Sequence, residues 1–139
     1  MVGLARHNIR INGLESRATA LVVNWGEALP QAVIQQRPSI ILAADCVYFE
    51  PAFPLLMQTL QDLLALNAEA VVYFCFKKRR RADLHFVKVA KKAFLVEELF
   101  DHDRPVFARQ ALHLFSLRSK ASKAKNAAPA TDTRVAVAR

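Results

Sequence analysis

A chain of 139 residues with 53% hydrophobic content has material for one core and not for two. No window holds the roughly 18 uninterrupted apolar residues of a membrane span, and the opening MVGLARHNIR lacks the basic start, apolar middle and cleavage site of a signal peptide. The formal charge of +8 points towards acidic partners, but half of it lies beyond Arg118, where five cations face one acid, and the densest block in the body is Lys77, Lys78, Arg79, Arg80 and Arg81.

In chain order, Leu4, His7, Asn8 and Ile11 recur at helical spacing before Asn12-Gly13, which predicts a helix over residues 2–11 closed by a left-handed turn. Residues 18–23 form a small, β-branched apolar run ended by Asn24-Trp25-Gly26, the pattern of a buried strand and its turn. Arg37-Pro38 resets the chain before residues 40–44, a second apolar strand. Phe53, Leu56, Met57, Leu60, Leu63 and Leu64 then repeat at three and four, predicting an amphipathic helix over 51–66 with Pro51 or Pro54 in its first turn.

Residues 69–76 are again apolar, and Leu84, Val87 and Ala90 predict a helix over 82–93. Residues 94–100 contain Glu97 and Glu98 and read as a strand at a sheet edge; 112–117 read as a final strand able to pair antiparallel. From Ser119 onward no apolar period persists, so the domain is expected to span 1–118 and to be followed by a disordered basic tail, 119–139. Cys46 and Cys75 lie in apolar segments without a CxxC or a histidine at ligand spacing, which predicts buried, reduced thiols. The four histidines include no pair at metal-binding spacing, and Asp101-His102-Asp103 reads as a solvated turn.

Strands without alternation imply burial on both faces, and the helices between them imply parallel pairing with helices on each side. The predicted fold is therefore an open, doubly wound, mostly parallel α/β sheet whose last strand is antiparallel. Ligands of such sheets bind beyond the carboxyl ends of the strands. There the apolar run SIILAADCVYFEP breaks at Asp45, with Tyr48 three residues on. A carboxylate at the end of a buried strand is costly unless paired, hydrogen-bonded or facing a wet cleft. It either caps the following helix and accepts loop amides, or it belongs to a site. Trp25 ends its own run in the same way: it either covers the rim of the sheet or stacks on a planar ring, with Asn24 offering an amide beside it.

Asn24-Trp25-Gly26 and Ala43-Ala44-Asp45-Cys46-Val47-Tyr48 resemble the post-strand tryptophan and the Asp-x-x-Tyr motif of seven-strand, S-adenosylmethionine-dependent protein-lysine methyltransferases. RHNIRINGLESR, VVNWGEALP and CFKKRRRADLHF are also similar to that group, most of all to the fungal enzymes that methylate translation elongation factor 1-alpha. The resemblance covers about residues 1–118. It implies a Rossmann-like fold, S-adenosyl-L-methionine as methyl donor, and a protein substrate, translation elongation factor 1-alpha, met in the cytoplasm. It also implies that Trp25, Ala44 and Asn24 line the adenine side of the cofactor pocket, and that Asp45 and Tyr48 face the sulfonium and the incoming lysine.

The family's Gly-rich loop and the acid that holds the ribose precede the matched region; here Gly3, Gly13 and Gly26 form no GxG and no acid stands ahead of Glu15. The expectation is the carboxyl-terminal part of such an enzyme, incomplete at its N-terminal side, with weak cofactor binding and a strand at 18–23 left to float or re-pair. The basic run Lys77, Lys78, Arg79, Arg80 and Arg81 falls at the same strand edge as Asp45 and is the candidate substrate or partner contact. Cations at a helix start oppose its dipole and so ask for a reason to be there. The alternative to an enzyme is a non-catalytic module holding an acidic protein or RNA through those five residues; general nucleic-acid binding ranks last, because half the net charge sits in the tail.

Overall fold

The computed structural model describes residues 1–100 and 102–121. Four strands form one sheet: β1 (Ile40–Ala44), β2 (Val71–Lys77), β3 (Phe94–Glu98) and β4 (Leu112–Ser119), in the spatial order β1-β2-β4-β3. β1 and β2 are parallel, so a crossover must join them, and the helix α3 (Phe53–Leu66) supplies it. β4 pairs antiparallel with both β2 and β3. Three strands thus run in one direction and the last runs against them, as the sequence pattern predicts, although only one of the three pairings is parallel. β3 lies at the edge, where its two glutamates led us to expect it.

The register sorts the strand residues into two faces. Ile41, Ala43, Val72, Phe74, Phe76, Phe115 and Leu117 share one face, and α3 and α4 (Arg81–Ala93) both cover it. Phe86 of α4 is its keystone, with its ring centroid 5.2 Å from Phe53 and 5.1 Å from Phe74. Ile40, Leu42, Ala44, Tyr73, Cys75 and Leu114 share the other face. Here the expectation of two buried faces fails: Ile40 is 62% and Leu42 78% exposed, because the two long helices that follow the strands lie on one side only. The helix α5 (Arg104–Arg109) closes the β4 end, where Arg104 and Glu98 pair at 2.5 Å.

At the amino terminus α1 (Val2–Ile11) forms as predicted, ends at Asn12 and is followed by Gly13 at φ +62°, but it buries none of its residues. Residues 18–23 are not a strand; Leu21, Val22 and Val23 are exposed. A strand is held by its ladder, and no described strand offers this segment a partner. Two six-residue helices were not anticipated: α2 (Gln31–Gln36) and α5. The predicted tail begins inside described structure, since β4 runs through Ser119; residues 122–139 lie outside the described residues, as does Asp101 of the predicted turn, whose neighbours 102–103 do form one. No helix among the described residues is long and apolar enough to cross a membrane.

Candidate active site

The Asp45 loop is set by its neighbours on both sides. The Asp45 N–H donates to the Cys75 carbonyl at 2.8 Å and so continues the β1–β2 ladder by one bond. The backbone then turns, because Asp45 has φ +54°, a left-handed conformation that costs most residues about a kilocalorie and that Asp tolerates better than others. Val47 is buried in the core at 3% exposure, and with this anchor between them Asp45 and Tyr48 both stand at the surface. Cys46 beside them and Cys75 on β2 are half-buried rather than buried as the sequence predicts, and burial pushes the Cys46 thiol up.

β2 delivers the basic run to the same edge. Lys78 donates its N–H to the Ala111 carbonyl at 2.8 Å. Arg79 and Arg80 both donate their backbone N–H groups to one oxygen of Asp83, at 2.7 and 2.9 Å. Asp83 is buried in the first turn of α4, so it caps the helix and fixes the preceding turn together. From that turn the Arg79 guanidinium forks onto Asp45, Nη1 to Oδ1 at 2.7 Å and Nη2 to Oδ2 at 2.8 Å. The Arg80 guanidinium donates to the Tyr48 carbonyl and lies 3.7 Å from the second Asp83 oxygen. Both ends of the Asp-x-x-Tyr element are therefore held by arginines, which explains cations at a helix start.

The electrostatics follow from the fork. The Arg79 hydrogen bonds hold the Asp45 carboxyl below the ordinary value near 3.8, outweighing the opposing contribution from burial. Arg79 is correspondingly raised by Asp45. Asp45 is thus an anion gripped by Arg79 on both oxygens, with the Lys77 backbone N–H contributing as well.

Among the other predicted site residues, Ala44 is exposed at the end of β1 on the open face. Trp25 is half-buried and packs against the hydrophobic core. Its turn is fixed to α3: the Gly26 N–H donates to the Thr59 hydroxyl at 2.9 Å, and Gly26 takes φ +79°. Asn24 donates its side-chain amide to Glu27 at 2.9 Å and keeps its side-chain oxygen as an acceptor. Lys77 and Arg81 are exposed at the end of β2 and the start of α4. The structure brings Asp45, Tyr48, Arg79 and Arg80 into one cluster. It separates Lys78 and Arg81 from that cluster into a cleft along α4. Asp83 escaped the sequence reading, although an acid three residues into a predicted helix is a capping signal.

Residues 1–93 match the protein family described as Lysine methyltransferase. Over 128 residues the chain is 37% identical to protein-lysine N-methyltransferase EFM6 of Saccharomyces cerevisiae, covering 86% of this chain and 52% of that protein. It is 32% identical over 109 residues to protein N-lysine methyltransferase METTL21A of Danio rerio, covering 76% and 49%, and 32% identical over 83 residues to EEF1A lysine methyltransferase 3 of Mus musculus, covering 58% and 34%. The chain spans about half the length of the first two of these relatives. With the anchored Asp-x-x-Tyr loop and most of its length inside the family match, the chain belongs to the lysine methyltransferase family.

Proposed function

We propose that this chain carries the acceptor-lysine side of a protein-lysine N-methyltransferase, with S-adenosylmethionine as methyl donor and a translation elongation factor in the cytoplasm as substrate. The observation that carries the proposal is Asp45 itself: a carboxylate in a left-handed backbone conformation at the carboxyl edge of β1, held ionised by Arg79 and three residues from an exposed Tyr48. A left-handed acid at a strand end, gripped by an arginine from the neighbouring strand, supports reading it as a site. The elongation-factor target follows the name of the mouse relative and the resemblance of the sequence to the fungal enzymes.

Of the residues present, Asn24, Trp25 and Ala44 suit the adenine end of the donor, and Asp45 and Tyr48 its methyl-bearing end. Ala44 adds only a methyl group where β1 ends, the free oxygen of Asn24 can accept from an exocyclic amine, and Trp25 brings an aromatic ring to the same segment. When bound, S-adenosylmethionine supplies an electrophilic methyl on a positive sulfur. What the chain supplies is alignment and field, which dominate an in-line displacement. A remaining lone pair of Asp45 accepts an N–H from the acceptor amine and aims its nitrogen. A carboxylate paired with Arg79 is a weak base at neutral pH, so the amine sheds its proton to water before attack. The Tyr48 ring offers its face to positive charge, worth roughly 0.5 to 2 kcal/mol.

Incubation of the 139-residue chain with labelled S-adenosylmethionine and elongation factor 1-alpha tests the proposal. Label that depends on Asp45 supports it; label that survives Asp45→Ala removes Asp45 from the mechanism. Because few of the donor's polar groups find partners here, its affinity for the isolated chain is expected to be weak, and a low-micromolar dissociation constant by calorimetry would contradict that expectation. A non-catalytic binding role is favoured by one feature: Ala44, Asp45 and Tyr48 all lie open to water, whereas a neutral lysine calls for a dry pocket. Unlabelled substrate that nonetheless co-purifies with the chain is the outcome that role requires.

A further inference from the structure

Four of the five cations of the basic run fall into two pairs, and Lys77, exposed at the end of β2, belongs to neither. Arg79 and Arg80 turn inward to the Asp45 loop. Lys78 and Arg81 instead line an open cleft of about 550 Å³ with Leu84, His85 and Lys88 of α4 and Glu50 of the 3-10 turn Glu50–Ala52. Arg81, Leu84, His85 and Lys88 stand at i, i+3, i+4 and i+7 and so occupy one helix face. Among the described residues none of Lys78, Arg81 and Lys88 makes an ion pair. Three cations crowded into one concavity repel each other, and an anion that fills it relieves that repulsion.

We propose that this cleft binds acidic side chains that flank the acceptor lysine in the protein substrate. The inference rests on the reading of Asp45 and Tyr48 as the acceptor site, because Glu50, on the cleft wall, follows Tyr48 by two residues. A substrate segment whose lysine reaches Asp45 therefore lays its neighbouring residues along α4. A peptide suits the cleft better than a nucleic acid does. Leu84 offers an apolar floor to a side-chain stem, and Glu50 can accept a peptide N–H, whereas a phosphate backbone is charged at every residue and has no N–H along it to give Glu50.

The test is fluorescence anisotropy of the 139-residue chain with a labelled peptide in which one lysine is flanked by glutamates, at low ionic strength where such contacts are least screened. Lys78→Gln, Arg81→Gln and Lys88→Gln combined are expected to weaken binding about tenfold, the sum expected of three partly exposed charge contacts. Arg6→Gln, Arg10→Gln and Arg17→Gln combined remove the same charge elsewhere and are expected to change affinity less than twofold. Equal losses in the two triple variants, or no measurable binding of the unaltered chain, would overturn the proposal. So would an RNA oligonucleotide that displaces the peptide at a lower concentration than unlabelled peptide does. Methyl transfer is not read here, so a chain that binds acids at the cleft but transfers no label would sink the proposed function and leave the cleft as an acid-binding surface.

Discussion

Arg79 grips both carboxylate oxygens of Asp45, at 2.7 and 2.8 Å, across 34 residues of sequence. The two meet because β1 and β2 are adjacent and parallel, so their carboxyl ends lie side by side. The fork sets the orientation as well as the charge of the carboxylate, which a lysine at the same place would not do.

Replacing Arg79 with Gln is therefore expected to raise the Asp45 pKa towards its ordinary value near 3.8, with Arg79→Lys in between. Carbon-detected NMR titration of the Asp45 carboxyl reads this directly. The sign for stability follows from the depressed native value: the pairing stabilises the fold fully above the unfolded pKa, and that contribution is lost as pH falls through the native one. Unaltered and Arg79→Gln chains should thus differ in thermal midpoint near neutrality and converge in acid; a gap that persists below pH 2 would mean that the fork is not its source.

Asp83 holds the turn that aims both arginines. Its side chain is 3% exposed, and one oxygen accepts from two backbone N–H groups. Asp83→Ala takes this acceptor from two part-buried donors and should cost about 1 to 3 kcal/mol. Asp83→Asn keeps an acceptor oxygen and should cost less than half as much. Urea denaturation monitored by Trp25 fluorescence gives both values, and equal losses in the two variants would show that charge rather than hydrogen bonding carries the cap.

Gly26 is fixed by two separate constraints. Its φ of +79° is strained for any residue with a side chain, and an added Cβ would stand 2.6 Å from the Leu55 Cδ2. Gly26→Ala should therefore lower stability by more than 1 kcal/mol, the scale of the conformational cost alone. It should also shift the Trp25 emission, since the tryptophan packs from that turn. An unchanged spectrum with unchanged stability would mean that the turn is not docked on α3 in solution.

Much of this architecture was legible because it is local. β1, α3, β2, α4 and the antiparallel last strand announce themselves by apolar period and composition, and Gly13 and Gly26 mark their turns. What was not legible depends on partners. An apolar run such as residues 18–23 cannot say whether a neighbouring strand is present, nor can β1 say whether both of its faces are covered. The six residues of α2 and α5 are too few to show a period. Asp45 and Tyr48 could be singled out from a broken apolar run, but the sorting of Lys78, Arg79, Arg80 and Arg81 into an inward pair and a cleft lining needed the β1–β2 register and the Asp83 cap.

The outer edge of β1 illustrates the same dependence and yields a last prediction. Its sequence, IILAA, has no charge and no proline, and its outer backbone groups face no described strand. Natural sheets usually blunt such an edge with lysine, proline or a bulge. Leu42 is 78% exposed, so replacing it removes little packing and should change stability by less than about 0.5 kcal/mol. Leu42→Lys places a desolvation cost on any strand that tries to add there. The variant should stay monomeric at concentrations where the unaltered chain scatters light. Aggregation at equal rates in both would locate the sticky surface elsewhere, with the exposed residues 21–23 the next to alter.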